Sequence, residues 1–284
     1  MRLVMVISKD VVDIIRECDL CGQTDYIIEK KFLAKEWDPV RKFYQDNNQM
    51  NPFQYLPNKF KLLKCSNCGL MYVSPRIKEW VVNRFYDEYL SGKYEGYINN
   101  YDSSFREALF TEYFQLIKGF LNSNRGDKYF LDLGCASGNF MKIFRENGYE
   151  SYGIEIAPLI AKKAEEFGKV CIGDVESELM KLYSNKFDII SLVDSIEHFN
   201  SPRKVMELVY DKLKYGGIVF IETPNGLANL DIMSRHFYLF SIESLARMLN
   251  TIGFDILYNK YNSNIYNPTD QLREERFIHL IAKK

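Results

Sequence analysis

From Tyr129 to Glu222 the chain alternates short apolar runs with segments whose apolar residues recur every three or four positions. The runs YFLDL (129–133), SYGIEI (151–156), KVCIG (169–173), FDIISLV (187–193) and GIVFIE (217–222) have the length of buried strands. Between them GNFMKIFREN, PLIAKKAEEF, ESELMKLY and SPRKVMELVYDKL read as amphipathic helices. Parallel neighbours need crossover connections, so five such repeats predict a parallel sheet with helices on both faces. A further helix, SIESLARMLNTIG, leads to FDILYNKY and ERFIHLIAKK, which a polar loop joins as an antiparallel pair. The expected class is α/β, a doubly wound sheet of seven strands with an antiparallel last strand.

Upstream the pattern changes twice. Residues 77–125 read as a helical, tyrosine-rich connector (KEWVVNRFYDEYL, SSFREALFTEYFQLIKGFL) interrupted by the loop SGKYEGY and closed by the polar break NSNRGDK. Residues 1–76 show little helical period and many turn formers, and read as a small module with a core separate from that of 126–284. The 284 residues are ample for a large core, and 37 Lys plus Arg against 38 Asp plus Glu leave no global field to draw nucleic acid or an anionic membrane. No stretch approaches a membrane span, and MRLVMVISKD lacks the apolar length of a signal peptide, so a cytoplasmic protein is expected.

The segment Phe130-Leu-Asp-Leu-Gly-Cys-Ala-Ser-Gly-Asn-Phe140 carries the main chemical signal: a strand ending in Asp132 runs through a glycine turn into a helix. Gly134 and Gly138 permit close backbone approach to a ligand at the carboxyl edge of the sheet, or serve a purely structural turn. A dinucleotide loop has G-x-G-x-x-G facing a pyrophosphate; here the spacing is G-x-x-x-G and Asp132 precedes it, which repels pyrophosphate and welcomes a cation such as an amino-acid ammonium. Glu155 ends the second strand, where it suits the two hydroxyls of a ribose, and Asp174 ends the third, where it suits an adenine amino group.

Together with FDIISLVDSIEHFNSP and LKYGGIVFIETPN, the stretches DLGCASG, GIEIAP and IGDVES resemble a class I S-adenosylmethionine-dependent methyltransferase over residues 126–284, which has a Rossmann-like sheet. The resemblance implies S-adenosylmethionine as cofactor, S-adenosylhomocysteine as product, and cofactor contacts from Asp132, Gly134, Cys135, Ala136, Gly138, Phe140, Glu155, Ile156, Asp174, Val175, Val193 and Asp194. Ala136 replaces the middle glycine of the family's D-x-G-x-G-x-G loop, a change tolerated at negative φ. His198, in the turn after the fourth strand, and His236, in a stretch resembling a His-aromatic-Phe-Ser segment of sugar and natural-product tailoring enzymes, are the candidate catalytic bases. The implied acceptor is a small molecule, phosphorylated or nucleotide-linked, methylated on oxygen or carbon. An RNA methyltransferase and a non-catalytic nucleotide-binding module are the alternatives. Tyr86, Tyr89, Tyr94 and Tyr97 either close over the cofactor or pack a helix.

Cys18-Asp-Leu-Cys21-Gly22 and Cys65-Ser-Asn-Cys68-Gly69 are matched C-x-x-C-G knuckles, and four thiolates fill a tetrahedral zinc shell with no open position. The expectation is a structural zinc on Cys18, Cys21, Cys65 and Cys68, in an arrangement that resembles the zinc ribbon ahead of some methyltransferase domains. The 43 residues between Cys21 and Cys65 imply an inserted excursion. Residues 30–64 carry eight Lys or Arg and three acids interleaved with rings, which fits a nucleic-acid surface, a phosphorylated ligand or a solvated face.

Overall fold

The computed structural model describes residues 12–32, 60–83, 86, 104–121, 126–228, 236–262 and 276–284. Strand β6 (Tyr129–Leu133) opens the large sheet, and helix α2 (Asn139–Glu146) follows, burying Phe140, Met141, Ile143 and Phe144 on one face. Then come β7 (Glu150–Glu155), α3 (Pro158–Ala164), β8 (Lys169–Ile172), α4 (Val175–Lys181) and β9 (Phe187–Val193). Pro158 sits in the first turn of α3, where its missing N–H costs nothing. After a short 3-10 turn (Ile196–His198), α5 (Pro202–Lys212), capped by Ser201, leads into β10 (Leu213–Pro224). Helix α6 (Ile242–Ile252) starts on a Ser241/Ser244 capping box, and β12 (Asp255–Asn262) and β13 (Phe277–Lys283) complete the sheet. The strand order is β12-β13-β10-β9-β6-β7-β8, with β13 antiparallel to both neighbours. The sheet therefore has the seven strands and the reversed last strand that the patterning predicts.

Alternate residues of these strands feed two cores. Phe130, Ile189, Ile218, Phe220 and Ile281 join α2 and helix α1 (Ser104–Lys118) on one face; Leu131, Leu133, Ile190, Val219, Ile221 and Leu280 join α5 and α6 on the other. This is the period of two that a doubly covered sheet requires.

The N-terminal module comprises β1 (Val12–Asp13) paired with β5 (Arg76–Ile77), and an antiparallel sheet of β2 (Tyr26–Phe32), β3 (Phe60–Cys65) and β4 (Met71–Ser74). A separate core for this module does not hold. Leu20, Leu62, Leu70, Tyr72 and Val73 belong to the same buried cluster as Leu245, Met248 and Leu192. The small sheet is also extended by β11 (Tyr238–Leu239), which pairs Tyr238 with Tyr72 and Leu239 with Met71. The physical reason is that β3 and β4 bury apolar side chains in the cluster that also holds residues of α5 and α6, while β11 pairs with the edge of β4.

Of the tyrosine-rich connector, residues 79–83 and α1 are helical. Tyr89, Tyr94, Tyr97 and most of the basic, aromatic excursion lie outside the described residues. No helix among the described residues is long and apolar enough to cross a membrane.

Candidate active site

At the carboxyl ends of β6, β7 and β9 the sheet opens into a cavity of about 830 Å³. Asp132, the penultimate residue of β6, is 4% exposed, and its Oδ1 accepts a hydrogen bond from Ser191 Oγ at 2.6 Å. Burial pushes its carboxyl up to about 7, against the pull of the Ser191 bond and with a further push from Glu155. Such a carboxylate, at the wall of a cavity, is one that a cation entering the cavity would ionise and hold.

The turn after β6 is pinned from behind. Gly134 and Cys135 both donate backbone N–H bonds to Ile154 O, at 2.9 and 3.1 Å. Ala136 N donates to Glu155 Oε2 at 3.0 Å, and Glu155 Oε1 accepts from Ala157 N at 2.9 Å. Glu155 thus braces the turn while lining the cavity, and burial raises its proton affinity. Ala136 has φ +46°, so the negative φ expected for it is not adopted. Its N–H donates to Glu155 while the residue occupies the left-handed region that glycine usually fills.

Cys135, Ile156, Asp174, Val175, Val193 and Asp194 also line the cavity. Asp174 caps α4, its Oδ1 accepting from Ser177 N at 2.9 Å. Asp194, directly after β9, has φ +54° and donates its N–H to Glu222 O. Gly138 and Phe140, in contrast, are not among the lining residues. A Cβ on Gly138 would lie 2.8 Å from Ala164, so this glycine serves helix packing rather than ligand approach. Phe140 stacks on Phe110 at 5.0 Å and meets Phe130 edge-on at 5.5 Å, inside the aromatic core behind the turn.

Both candidate bases reach the cavity from opposite elements. The rings of His198 and His236 meet edge to face with centroids 4.8 Å apart. Glu197, a residue that sequence patterning did not single out, lies beside them. It is 1% exposed, its Oε2 accepts from Thr223 Oγ1 at 3.0 Å, and its Oε1 stands 3.8 Å from His198 Nε2. Burial, with the neighbouring Asp194 carboxylate, raises its pKa well above the ordinary range. A glutamate beside a histidine in a turn is a common surface pair, but here the later segment folds over the turn, with Phe237 N donating to Glu197 O at 2.8 Å.

Arg106 and Arg276 also line the cavity and were not foreseen. Arg106 belongs to a helix that patterning assigns only to packing, and Arg276 directly precedes the last strand. Tyr86 lines the cavity as well.

The two knuckles come together as their spacing predicts. Cys18 Sγ lies 3.4 Å from Cys68 Sγ and Cys21 Sγ 3.5 Å from Cys65 Sγ, and all four sulfurs are within 4.8 Å of one another. A tetrahedral shell with Zn–S bonds of about 2.3 Å has sulfur–sulfur edges of about 3.8 Å, so the four positions fit a zinc ion. Gly22 and Gly69 both have positive φ, +69° and +76°, and return their N–H to Cys18 O and Cys65 O, which turns each chain so that both thiols face inward. Cys135 and Cys171 stand apart from this group.

A family model described as a methyltransferase domain matches residues 105–259. The chain is 27% identical over 109 residues to a ubiquinone biosynthesis O-methyltransferase of Histophilus somni, covering 35% of this chain and 46% of that protein. It is 26% identical over 147 residues to a tRNA U34 carboxymethyltransferase of Helicobacter acinonychis, covering 45% of this chain and 56% of that one. The chain thus spans about half the length of these curated relatives. Among solved structures, an S-adenosylmethionine-dependent methyltransferase from Archaeoglobus fulgidus has a TM-score of 0.55 and 23% identity over 68% of this chain and 100% of that one. A second, from Thermotoga maritima, has a TM-score of 0.51 and 19% identity over 67% and 98%. These likenesses show the fold. The family match itself takes in more than half of the chain and runs from α1 through the strand-end acids to β12, and by it the chain belongs to the methyltransferase-domain family.

Proposed function

We propose that the protein binds S-adenosylmethionine in this cleft and transfers its methyl group to a small-molecule acceptor. The observation that carries the reading is Asp132, a buried carboxylate at a cavity wall, with Glu155 and Asp174 following at the next two strand ends. Asp132 would hold the ammonium of the cofactor, Glu155 the ribose hydroxyls and Asp174 the adenine amino group, with Gly134 to Ala136, Ile156, Val175 and Val193 forming the contact surface. The cofactor supplies an electrophilic methyl on a sulfonium. The chain's part is alignment and exclusion of water, which account for most of the barrier lowering in a displacement of this kind. A proton lost by the acceptor goes toward the His198 and His236 end of the cavity, with His236 the first candidate to take it.

The lining guanidiniums of Arg106 and Arg276 support an acceptor that carries phosphate or is nucleotide-linked. The cysteine cluster supports one structural zinc held by residues of the 1–76 module, with 77–125 as connector and 126–284 as the cofactor domain, in a cytoplasmic enzyme. A nucleic-acid acceptor is the second reading, favoured by the relative named for tRNA U34 and distinguished by a steep salt dependence of binding.

Calorimetry with S-adenosylhomocysteine tests the proposal. Glu155→Ala should lose about tenfold to a hundredfold in affinity, since it removes charge-assisted bonds of about 1.5–3 kcal/mol. Tighter binding of a nicotinamide dinucleotide would refute the assignment. A screen of acceptors with labelled methyl donor then identifies the second substrate.

A further inference from the structure

We propose that Glu197, His198 and His236 form a binding site for a divalent transition-metal ion at the acceptor end of the cavity, distinct from the four-cysteine site. One ligand atom from each of the three lies within 4.8 Å of the others. Two imidazoles and one carboxylate form the set that zinc and non-haem iron use when part of the coordination shell is left open for exchangeable ligands. Both histidines line the cavity and the glutamate lies behind them, so the open positions would face the space where an acceptor enters.

The burial of Glu197 argues for a missing cation. Its Oε1 is shielded from solvent and has no hydrogen-bond partner among the described residues, although Oε2 is bonded to Thr223. A carboxylate oxygen in that state costs free energy unless a positive charge meets it. The nearest ion-pair partner is His198 Nε2 at 3.8 Å, too far for a hydrogen bond. Ligands at about 2.0–2.2 Å from one ion stand about 3.3 Å from each other, so a rotation of half an ångström at His198 would close that edge.

The three ligands come from two elements that the fold holds together. The 3-10 turn carries Glu197 and His198, and the Phe237 N–H bond to Glu197 O fixes the position of His236 against them. The chemical class of ligand completing the shell is an oxygen donor, either water or a hydroxyl of the acceptor. Binding of the ion does not depend on the methyl-transfer reading; only its role toward the acceptor rests on that reading, and while the ion is held the lone pair of His236 is taken up by it and not offered to the acceptor's proton.

Mn2+ is the probe, because four thiolates retain zinc against it whereas imidazole and carboxylate accept it. Zinc-loaded full-length protein is titrated with Mn2+ and the loss of the free-ion paramagnetic resonance signal is followed, with S-adenosylhomocysteine affinity measured in parallel. The expected result is one Mn2+ per chain, with His198→Asn lowering its affinity at least about tenfold while S-adenosylhomocysteine binding is retained. His198 is 21% exposed, so its replacement spares the core; Glu197→Gln, which keeps the Thr223 contact, is the second variant and should weaken Mn2+ comparably. No bound Mn2+ in the folded wild type, or binding unchanged in both variants, would overturn the site. Failure of the cofactor reading shows separately, as absent S-adenosylhomocysteine binding.

Discussion

The elevated carboxyl of Asp132 makes cofactor affinity depend on pH in a calculable way. Its folded value of about 7 lies above the ordinary 3.8, so its contribution to stability is intact below pH 4 and is lost as pH rises through 7. For a fully buried group that interval corresponds to roughly 4 kcal/mol. Asp132→Asn should therefore stabilise the unliganded protein at pH 8, read as a rise in melting temperature, while it removes the charge that we propose receives an ammonium. If the bound ligand requires the ionised form, affinity for S-adenosylhomocysteine climbs almost tenfold per pH unit below 7 and levels off above it, roughly 30-fold in all from pH 5.5 to 8. Calorimetry in buffers of different ionisation enthalpy should show a proton released on binding at pH 6 and almost none at pH 8. Ser191→Ala removes the bond that holds the carboxyl down, so its profile should shift to higher pH. A flat profile in the wild type, or one that keeps its slope in Asp132→Asn, refutes the argument.

Ala136→Gly should raise stability by about 0.5–1 kcal/mol, because the left-handed φ of +46° costs an alanine more than glycine's extra chain entropy; a lowered melting temperature would contradict this. Elemental analysis should find zinc lost from a Cys65→Ser, Cys68→Ser double variant and kept in Cys135→Ser and Cys171→Ser. Because the module shares a core with α5 and α6, that loss should lower the single melting transition of the whole chain, and an unshifted second transition for the large sheet would oppose it. His236→Ala should reduce methyl transfer by about 10²–10⁴ with S-adenosylhomocysteine affinity within threefold, measured beside His198→Ala, and near-normal turnover would remove it from the mechanism.

The alternating strands and helices were legible because their signals are local: a period of two or of three to four within ten residues, closed by Pro158, Ser201 or Gly253. The cysteine knuckles were legible because spacing alone restricts the geometry. The conformation of Ala136 was not, since the turn it belongs to is bonded to a glutamate nineteen residues away that no local pattern links to it. The placement of Phe140 behind the turn depends on Phe110 in a helix that sequence patterning does not connect to it. In the run GIVFIE, Glu222 reads as a strand-end acid, yet it is buried with its Oε2 accepting from Tyr113 and facing His279 Nε2 at 3.1 Å. Its partners come from α1 and β13, which no local pattern links.

The largest gap between sequence and structure concerns the union of the zinc module with the cleft. Asp19, inside the first knuckle, accepts from Ser201 Oγ at 2.7 Å and from Arg203 N at 3.0 Å, placing a carboxylate at the N-terminus of α5, where its charge is favoured. Arg203 answers with a bond to Leu20 O, and Arg247 on α6 donates to Asn67 O inside the second knuckle. Further along, Arg76 donates to Asn200 O and to the hydroxyl of Tyr238, and Val73 N donates to Phe237 O. Each of these contacts joins the module to α5 or its N-terminal flank, to α6, or to the segment that carries His236. The knuckle that holds Cys18 and Cys21 is thus bonded to α5, and the one that holds Cys65 and Cys68 to α6. Two residues of β11 are too short to announce themselves in any periodic pattern, and they are held because the strand they pair with is itself clamped beside the knuckles. The described residues that line the cleft begin at Glu79, so the module bears on it from outside its lining, through the bonds that seat the segment carrying His236.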